Sequence, residues 1–433
     1  MCYKVDVSVF LVCSTPVHGH VVPMLAVARD LTARGHRVIV LTGRRFAARV
    51  EAAGAEFHAF EGAADFDDRD VDAYLPDRHR YRGIARAQYD IQTIFVRTIP
   101  DQYRAVRDLV REHRPDAILV DGAFAGVAPL LFGTDPRPPI LALGVTPLTQ
   151  SSRDVAPAGT ALPPSSSPLG RLRNRVLGLL ARRVLFRDTQ RLATRILADL
   201  GVVRLDAFVM DISGSYDRFL QLSPREFEYP RSDLAPNTTF VGALRPSPAD
   251  VPAPDWWSDL DGSRPVVHVS QGTIDNHDLG RLVVPTLRAL ADLDVLVVVS
   301  LGGSDAELPD LPANARVASY LPYDELLART AVFVTNGGYG GVQQAVAAGV
   351  PMVVAGDTED KPEVAARVAW SGVGVDLRTG TPTPEAVRRA VRRVLADPSY
   401  REAAQRIARA GAGYDALGRI HDELVAAGAR LRP

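Results

Sequence analysis

The sequence predicts an α/β chain built as two Rossmann-like domains facing a central cleft, and three observations carry that prediction. A strand–loop–helix–strand unit opens the chain, a second unit of the same pattern begins near residue 266, and a stretch dense in Pro, Asp and Ser lies between them. The length agrees. A chain of 433 residues exceeds the roughly 250–300 that one hydrophobic core organises.

In the first unit VSVFLV (7–12) is a continuous β-branched and apolar run, the pattern of a strand buried on both faces of a parallel sheet. Pro23 suits the first turn of a helix, and PMLAVARDLTAR repeats apolar residues at helical spacing until Gly35 ends it. RVIVLT is the second strand. In the second unit PVVHVS is a strand, QGTIDNHD a polar loop, LGRLVVPTLRALADL a helix and VLVVVS another strand. FVGALRPSPADVPAPDWWSDLDGS reads as the interdomain linker. The expected division is 1–241, a linker at 242–262, and 263–433, with the last helix free to cross back to the first domain.

RPDAILVDG and PPILALGVTP are further strands of the first half, and residues 147–169 form a long loop lying over something. A helix follows, LRNRVLGLLARRVLFRDTQRLATRILADL, studded with arginines. It reads as a solvated face covering a core, with peripheral membrane contact the lesser alternative. The tail is helical.

The 46% apolar content is that of a folded globular protein, and a net charge of −1 gives no global electrostatic case for nucleic acid or anionic lipid. Two cysteines, Cys2 and Cys13, cannot build a disulfide framework or a metal cluster. No run approaches the roughly 18–20 apolar residues of a membrane span, and the opening is too short for a signal peptide, so a cytoplasmic, reducing setting is expected. Only Lys4 and Lys361 are lysines among 50 basic residues, and a codon bias toward arginine is the plain cause. A lysine kept against that bias marks Lys361 as a candidate for a role that uses a compact ammonium, the alternative being a solvated surface charge.

Four stretches carry chemistry. In VHGHVVP, two histidines flank a glycine where the first strand hands over to a helix, at the strand edge where open α/β sheets bind ligands. The helix N-terminus beside His20 should keep its ring a neutral base, while functional and structural readings of His18 stay open. Asp121 ends the strand AILV on the same edge and could take the second imidazole N–H. In VSQGT, Gly272 allows close backbone approach to a phosphate, with Ser270 and Thr273 as hydroxyl donors. In FVTNGGYGGVQQAVAAGVPMVVAGDTEDKP, clustered glycines open a helix whose N–H groups and dipole suit a diphosphate. The cluster is neither a P-loop nor a dinucleotide fingerprint. The polar set Asp357, Glu359, Asp360 and Lys361 ends the next strand and suits hydroxyl-rich ligands. No motif has metal-ligand spacing.

Taken in order, HGHxxP, RGHRV, VSQGT, YLPY, TNGGYGG and TEDKP resemble the family 1 glycosyltransferases, which use UDP- or dTDP-sugars, and most nearly their bacterial macrolide-type branch. The resemblance spans nearly the whole chain. It implies a GT-B fold and an inverting, metal-independent hexosyl transfer to a hydroxyl of a small, hydrophobic acceptor of natural-product type, with no cofactor besides the nucleotide-sugar donor. His20 matches the family's general base and Asp121 its supporting carboxylate. Tyr320 would stack on the nucleobase, with the Leu321 backbone in contact. Gly340 and Gly341, beside Gly338, match the diphosphate donors, and Asp360 the acid that binds sugar hydroxyls. Three positions depart: Asn336 stands for a common His, Gln344 for the ribose-binding Glu, and Lys361 for a Gln. The resemblance places the donor mostly on residues 266–363, and the acceptor against the loops near 60–100 and 147–169. Two rivals differ in what a donor assay shows. A GT-B nucleotide-sugar epimerase would consume donor without acceptor, and a silent nucleotide-sugar-binding partner would bind it without turnover.

Overall fold

The computed structural model describes residues 7–244, 251–273, 276–304, 306–308 and 310–430. Cys2, Lys4, part of the linker (245–250) and residues 274–275 of the polar loop lie outside the described residues.

The strands are β1 Val9–Cys13, β2 Arg37–Thr42, β3 Glu56–Ala59, β4 Ala117–Asp121, β5 Ile140–Gly144, β6 Arg218–Gln221 and β7 Thr238–Phe240, then β8 Val266–Ser270, β9 Leu296–Ser300, β10 Ala315–Ala318, β11 Thr330–Thr335, β12 Met352–Val354 and β13 Gly374–Asp376. They build two sheets in the orders β3-β2-β1-β4-β5-β6-β7 and β10-β9-β8-β11-β12-β13. Every pairing is parallel. Two doubly wound, Rossmann-like domains result, as the sequence predicts.

The apolar runs work as parallel strands because both faces are covered. Phe10 and Val12 of β1 enter one core cluster, while Leu11 and Cys13 enter the cluster on the opposite face. In the second sheet Val332 and Val334 face one core and Phe333 the other. Trp256 and Trp257, from the linker end, pack on a third small cluster under β8 and β9.

Seven helices matter for the site: α1 His18–Ala33, α2 Gly83–Ile91, α3 Pro168–Leu180, α4 Arg187–Asp199, α5 Tyr339–Ala348, α6 Lys361–Trp370 and α7 Ala416–Ala429. α1 starts five residues before the expected Pro23, which therefore sits inside the helix. The early start is stabilised from outside: Val17 offers no cap, but the His18 N–H donates to Asp68 Oδ2 at 2.6 Å. The arginine-rich helix is not one element either, because a π-turn over Ala181–Leu185 separates α3 from α4. α7 does cross back. Ala416, Ile420 and Leu424 recur every four residues and bury in the core of the first sheet, and His421 Nε2 lies 3.1 Å from His36 Nε2.

The domains meet edge to edge, carboxyl ends of strands facing each other, around a buried charge network. Glu228 follows β6. The Arg367 guanidinium, on α6, donates from Nε to both Glu228 oxygens at 2.9 and 3.0 Å, and from Nη1 to Glu363 Oε2 at 2.9 Å. Arg231 adds 3.3 Å to Glu228 and 2.8 Å to the Leu148 carbonyl. Glu363 in turn accepts the N–H groups of Gly159 and Ala161, each at 2.8 Å. The loop over 147–167 is thus clamped to the second domain. Two further contacts cross the same seam, Gln221 Nε2 to Tyr339 Oη at 3.0 Å and Gln343 Nε2 to Ser223 Oγ at 3.3 Å.

Burial pushes the Glu228 carboxyl upward, but Arg367 and Arg231 outweigh it and hold its pKa below the ordinary value. Arg367→Met leaves that buried carboxylate with Arg231 as its one cation, and the expected cost is about 3 kcal/mol in chemical denaturation. Glu228→Gln in the same chain should return part of that loss. Strictly additive losses in the double variant would show that the two side chains do not act as a pair.

Candidate active site

In the first sheet the strand order reverses between β1 and β4, and a crevice opens there at the carboxyl edge. Cys13 pairs with Val120, so the next residues, Ser14 and Asp121, meet across the crevice. The Asp121 carboxylate is fully buried and accepts from Thr15 N at 2.8 Å, Ala123 N at 2.9 Å and Ser14 Oγ at 3.2 Å. Its Oδ1 also lies 2.8 Å from Nδ1 of His20, in the first turn of α1. A carboxylate only accepts, so Nδ1 carries the hydrogen, and the Nε2 lone pair is left without it. The ring stays 12% exposed to the cleft, with Phe95 at 5.9 Å between centroids.

The expected depression of the His20 pKa does not appear. Burial disfavours its imidazolium, but the charge and hydrogen bond of Asp121, with Asp360 and Glu359 from the other domain, raise its pKa above 6.5. A helix end carries about half a charge, whereas the carboxylates here are whole charges and Asp121 lies in hydrogen-bond contact. His18 behaves oppositely. Burial, then Arg49 and Arg45, lower it to about 4.

The second sheet reverses between β8 and β11. Thr335 pairs with Ser270, so Asn336 meets Gln271 just as Asp121 meets Ser14. The Asn336 amide is spent largely on backbone: Nδ2 donates to the Gln271 carbonyl at 2.5 Å and Oδ1 accepts the Gly338 N–H at 3.3 Å. Its expected role toward a phosphate is therefore reduced to at most one remaining amide hydrogen. Gly338 caps α5, and Gly340 and Gly341 are its second and third residues, where N–H groups lack an intrahelical acceptor. A Cβ built on Gly340 would meet nothing within 4 Å, so the approach is open.

Gly272 holds φ +82°, which glycine alone adopts without strain, and its N–H donates to Ser270 Oγ at 3.3 Å. At the same edge Thr273 is exposed and Gln344 half-buried. Tyr320 is 56% exposed over the Gly302–Gly303 turn, while Leu321 turns its side chain into the small core under β8 and β9.

Asp360 is half-buried at the start of α6, and burial, then the Glu359 charge, raise its pKa to about 6. Lys361 is only 5% exposed, so it is no solvated surface charge. Its Nζ donates to Glu359 Oε2 at 2.7 Å and Thr358 Oγ1 at 2.9 Å, the neighbouring-acid pairing rather than a free sugar donor. Glu359 holds a left-handed φ of +56°, a strained backbone in a non-glycine residue.

Between residues 63 and 97 of the first domain opens a cavity of about 950 Å³. Phe66 stacks on Tyr74 at 4.7 Å and Tyr81 on Tyr89 at 4.9 Å along its wall. Of the two loops expected to take the acceptor, this one encloses space. The 147–169 loop instead carries the clamp onto α6. The clamp residues Glu228, Glu363 and Arg367 escape sequence reading because nothing local marks a charge for burial between domains. Among the described residues, Glu56, His58 and His113 bring ligand-type atoms within 4.8 Å of one another. They lie at the amino edge of β3, away from the cleft. Arg37 donates to Glu56 at 2.8 Å and to His113 Nδ1 at 3.2 Å, which leaves the ring hydrogen on the Nε2 that faces the trio.

Comparison with known proteins gives consistent results. Residues 15–132 match the glycosyltransferase family 28 N-terminal domain, and residues 284–425 match the erythromycin biosynthesis protein CIII-like C-terminal domain. The chain is 42% identical to the 4'-demethylrebeccamycin synthase of Lentzea aerocolonigenes, covering 94% of this chain and 96% of that one. It is 39% identical to UDP-glycosyltransferase 2 of Phaeomoniella chlamydospora, covering 96% and 94%. The crystal structure of the kitacinnamycin glycosyltransferase superposes with a TM-score of 0.71 at 25% identity over 97% and 99% of the two chains.

The two histidines should separate in an NMR titration. His20 should titrate above 6.5, because Asp121 favours its charged form, and His18 near 4. Asp121→Asn removes the charge and should bring the His20 midpoint down. A midpoint that does not move would show that Asp121 is not what raises it.

Proposed function

The chain belongs to the nucleotide-sugar-dependent glycosyltransferases of GT-B fold and natural-product type, and from that premise we propose a single inverting displacement with His20 as its base. The acceptor hydroxyl attacks the anomeric carbon of the donor from the face opposite the diphosphate. The new C–O bond forms as the bond to the diphosphate breaks, and the hydroxyl proton passes to His20 Nε2. Asp121 holds Nδ1–H, keeps the ring oriented and stabilises the imidazolium. The observation that carries this reading is the His20–Asp121 pair at the switch point of the first sheet, together with the glycine-opened helix α5 at the switch point of the second.

The leaving diphosphate is stabilised by the N–H groups of Gly340 and Gly341 and the positive end of α5, with Gly272, Ser270 and Thr273 alongside. This donor set supplies the electrostatics without a metal. Tyr320 and Gln344 hold base and ribose of a UDP- or dTDP-sugar, and the UDP in a relative's name supports the first. Asp360 accepts from sugar hydroxyls. Lys361 acts behind it, neutralising Glu359 and holding the strained turn. The 950 Å³ aromatic cavity has the volume for a drug-sized hydrophobic acceptor.

His20→Ala should lower turnover by about 10²–10⁴ and leave nucleotide diphosphate affinity nearly unchanged. Losses from His20→Ala and Asp121→Asn should be far from additive. Product NMR should show the anomeric configuration opposite to the donor's, with full rate in excess EDTA. Retention, or a rate restored by Mg²⁺ after chelation, would sink the metal-free displacement.

Asp360→Ala should narrow the preference for a glucose-type donor over its deoxy analogue, by roughly ten- to hundredfold. In the wild type the same preference should weaken as pH falls through about 6, where the carboxylate gains its proton and loses acceptor capacity. A donor panel with flat relative constants in both experiments would move sugar recognition elsewhere.

A further inference from the structure

We propose that the outer face of α3 and the π-turn after it is a docking surface for an anionic lipid bilayer. Leu169, Leu172, Val176, Leu179, Leu180 and Val184 are each 45–79% exposed. Spacings of three and four place the α3 members on one side of the helix, opposite the buried Gly170 and Asn174, with Ala181 continuing the buried side. A helix that covers a core points its apolar stripe inward. This one points it outward, against the solvated-face reading of its sequence.

Charge flanks the stripe. No Asp or Glu occurs from residue 155 to 187, and Arg173, Arg175, Arg182 and Arg183 make no ion pair among the described residues. By helical position Arg175 borders one edge of the stripe and Arg173 the other. An apolar face edged with uncompensated arginines suits an interfacial helix lying at the headgroup boundary of an anionic leaflet. A second copy of the chain fits this surface worse, since it would bring two such arginine sets together.

The surface continues into the cavity wall. Gln88 of α2 donates to the Leu185 carbonyl of the π-turn, and Gln92 Nε2 donates to Thr189 Oγ1 at 2.9 Å. Gln88 and Gln92 both line the cavity, and Ile84, one turn earlier, is 60% exposed. Docking would set the cavity beside the bilayer, where an apolar acceptor concentrates. That consequence rests on the acceptor reading above; the docking does not.

Sedimentation with vesicles tests it. The protein should pellet with phosphatidylcholine vesicles containing phosphatidylglycerol, far less with phosphatidylcholine alone, and be released by high salt. Leu172→Asp with Val176→Asp should lower the partition coefficient roughly tenfold or more, without moving the thermal midpoint. Arg175→Glu with Arg183→Glu should remove the preference for anionic vesicles. Protein that stays in the supernatant at low salt, or pelleting equal in wild type and variants, overturns the proposal. So does a solution dimer that Leu172→Asp dissolves, which would assign the face to a second copy.

Discussion

The cleft exists because a buried carboxylate between two domains cannot be left alone. Glu228 is nearly without solvent, and both of its oxygens are taken by Arg367 from the other domain, with Arg231 beside it. Removing such a pair symmetrically can cost little, but splitting it exposes one bare charge to a low dielectric. Domain separation would do that splitting unless water followed into the gap. The network therefore holds the strand edges in register, and through Glu363 it fixes the 147–167 loop and the start of α6 together. Asp360 and Lys361 open that same helix. The position of the residues that open α6 and the integrity of the domain seam rest on one set of bonds.

The two halves solve the same topological problem with different chemistry. At each switch point a residue just past the central strand pair bridges the crevice, Asp121 in the first half and Asn336 in the second. Asp121 is held by backbone and hydroxyl donors and keeps one oxygen for His20. Asn336 spends its oxygen on Gly338 and a hydrogen on Gln271, shaping the glycine turn instead of adding a charge. On the mechanism proposed above, a carboxylate suits the side that stabilises an imidazolium, and it would repel a diphosphate on the other side, where a neutral amide does not.

The architecture was legible because parallel strands buried on both faces leave uninterrupted apolar runs, and helix N-termini near glycines leave their own mark. β2 matches RVIVLT residue for residue. The pairing of His20 with Asp121 was legible only as two residues on one sheet edge; a separation of 101 positions hides the contact itself. The start of α1 was misplaced because its stabiliser, Asp68, lies 50 residues downstream. The outward stripe of α3 was invisible for a related reason. Periodicity shows that a helix has an apolar side, not which way that side turns. The sign of the His20 shift failed on electrostatics: the dipole is local and readable, and the carboxylates of Glu359 and Asp360 come from the other domain.

That sign has a consequence for how the site works. A base whose conjugate acid is stabilised takes a proton more readily but is empty at a smaller fraction of molecules near neutral pH. Glu359 and Asp360 push His20 in that direction, and Lys361 offsets the first of them directly. The strained backbone at Glu359 makes sense in these terms. It turns the carboxylate back onto the ammonium within three residues, so a whole charge near the base is balanced at its source. Glutamine at position 361 would take away the ammonium that offsets Glu359, leaving Arg78 as its cation, and should raise His20 further. On the mechanism proposed above, the lone lysine among the described residues bears on the base through Glu359, by offsetting one of the two carboxylates that raise His20.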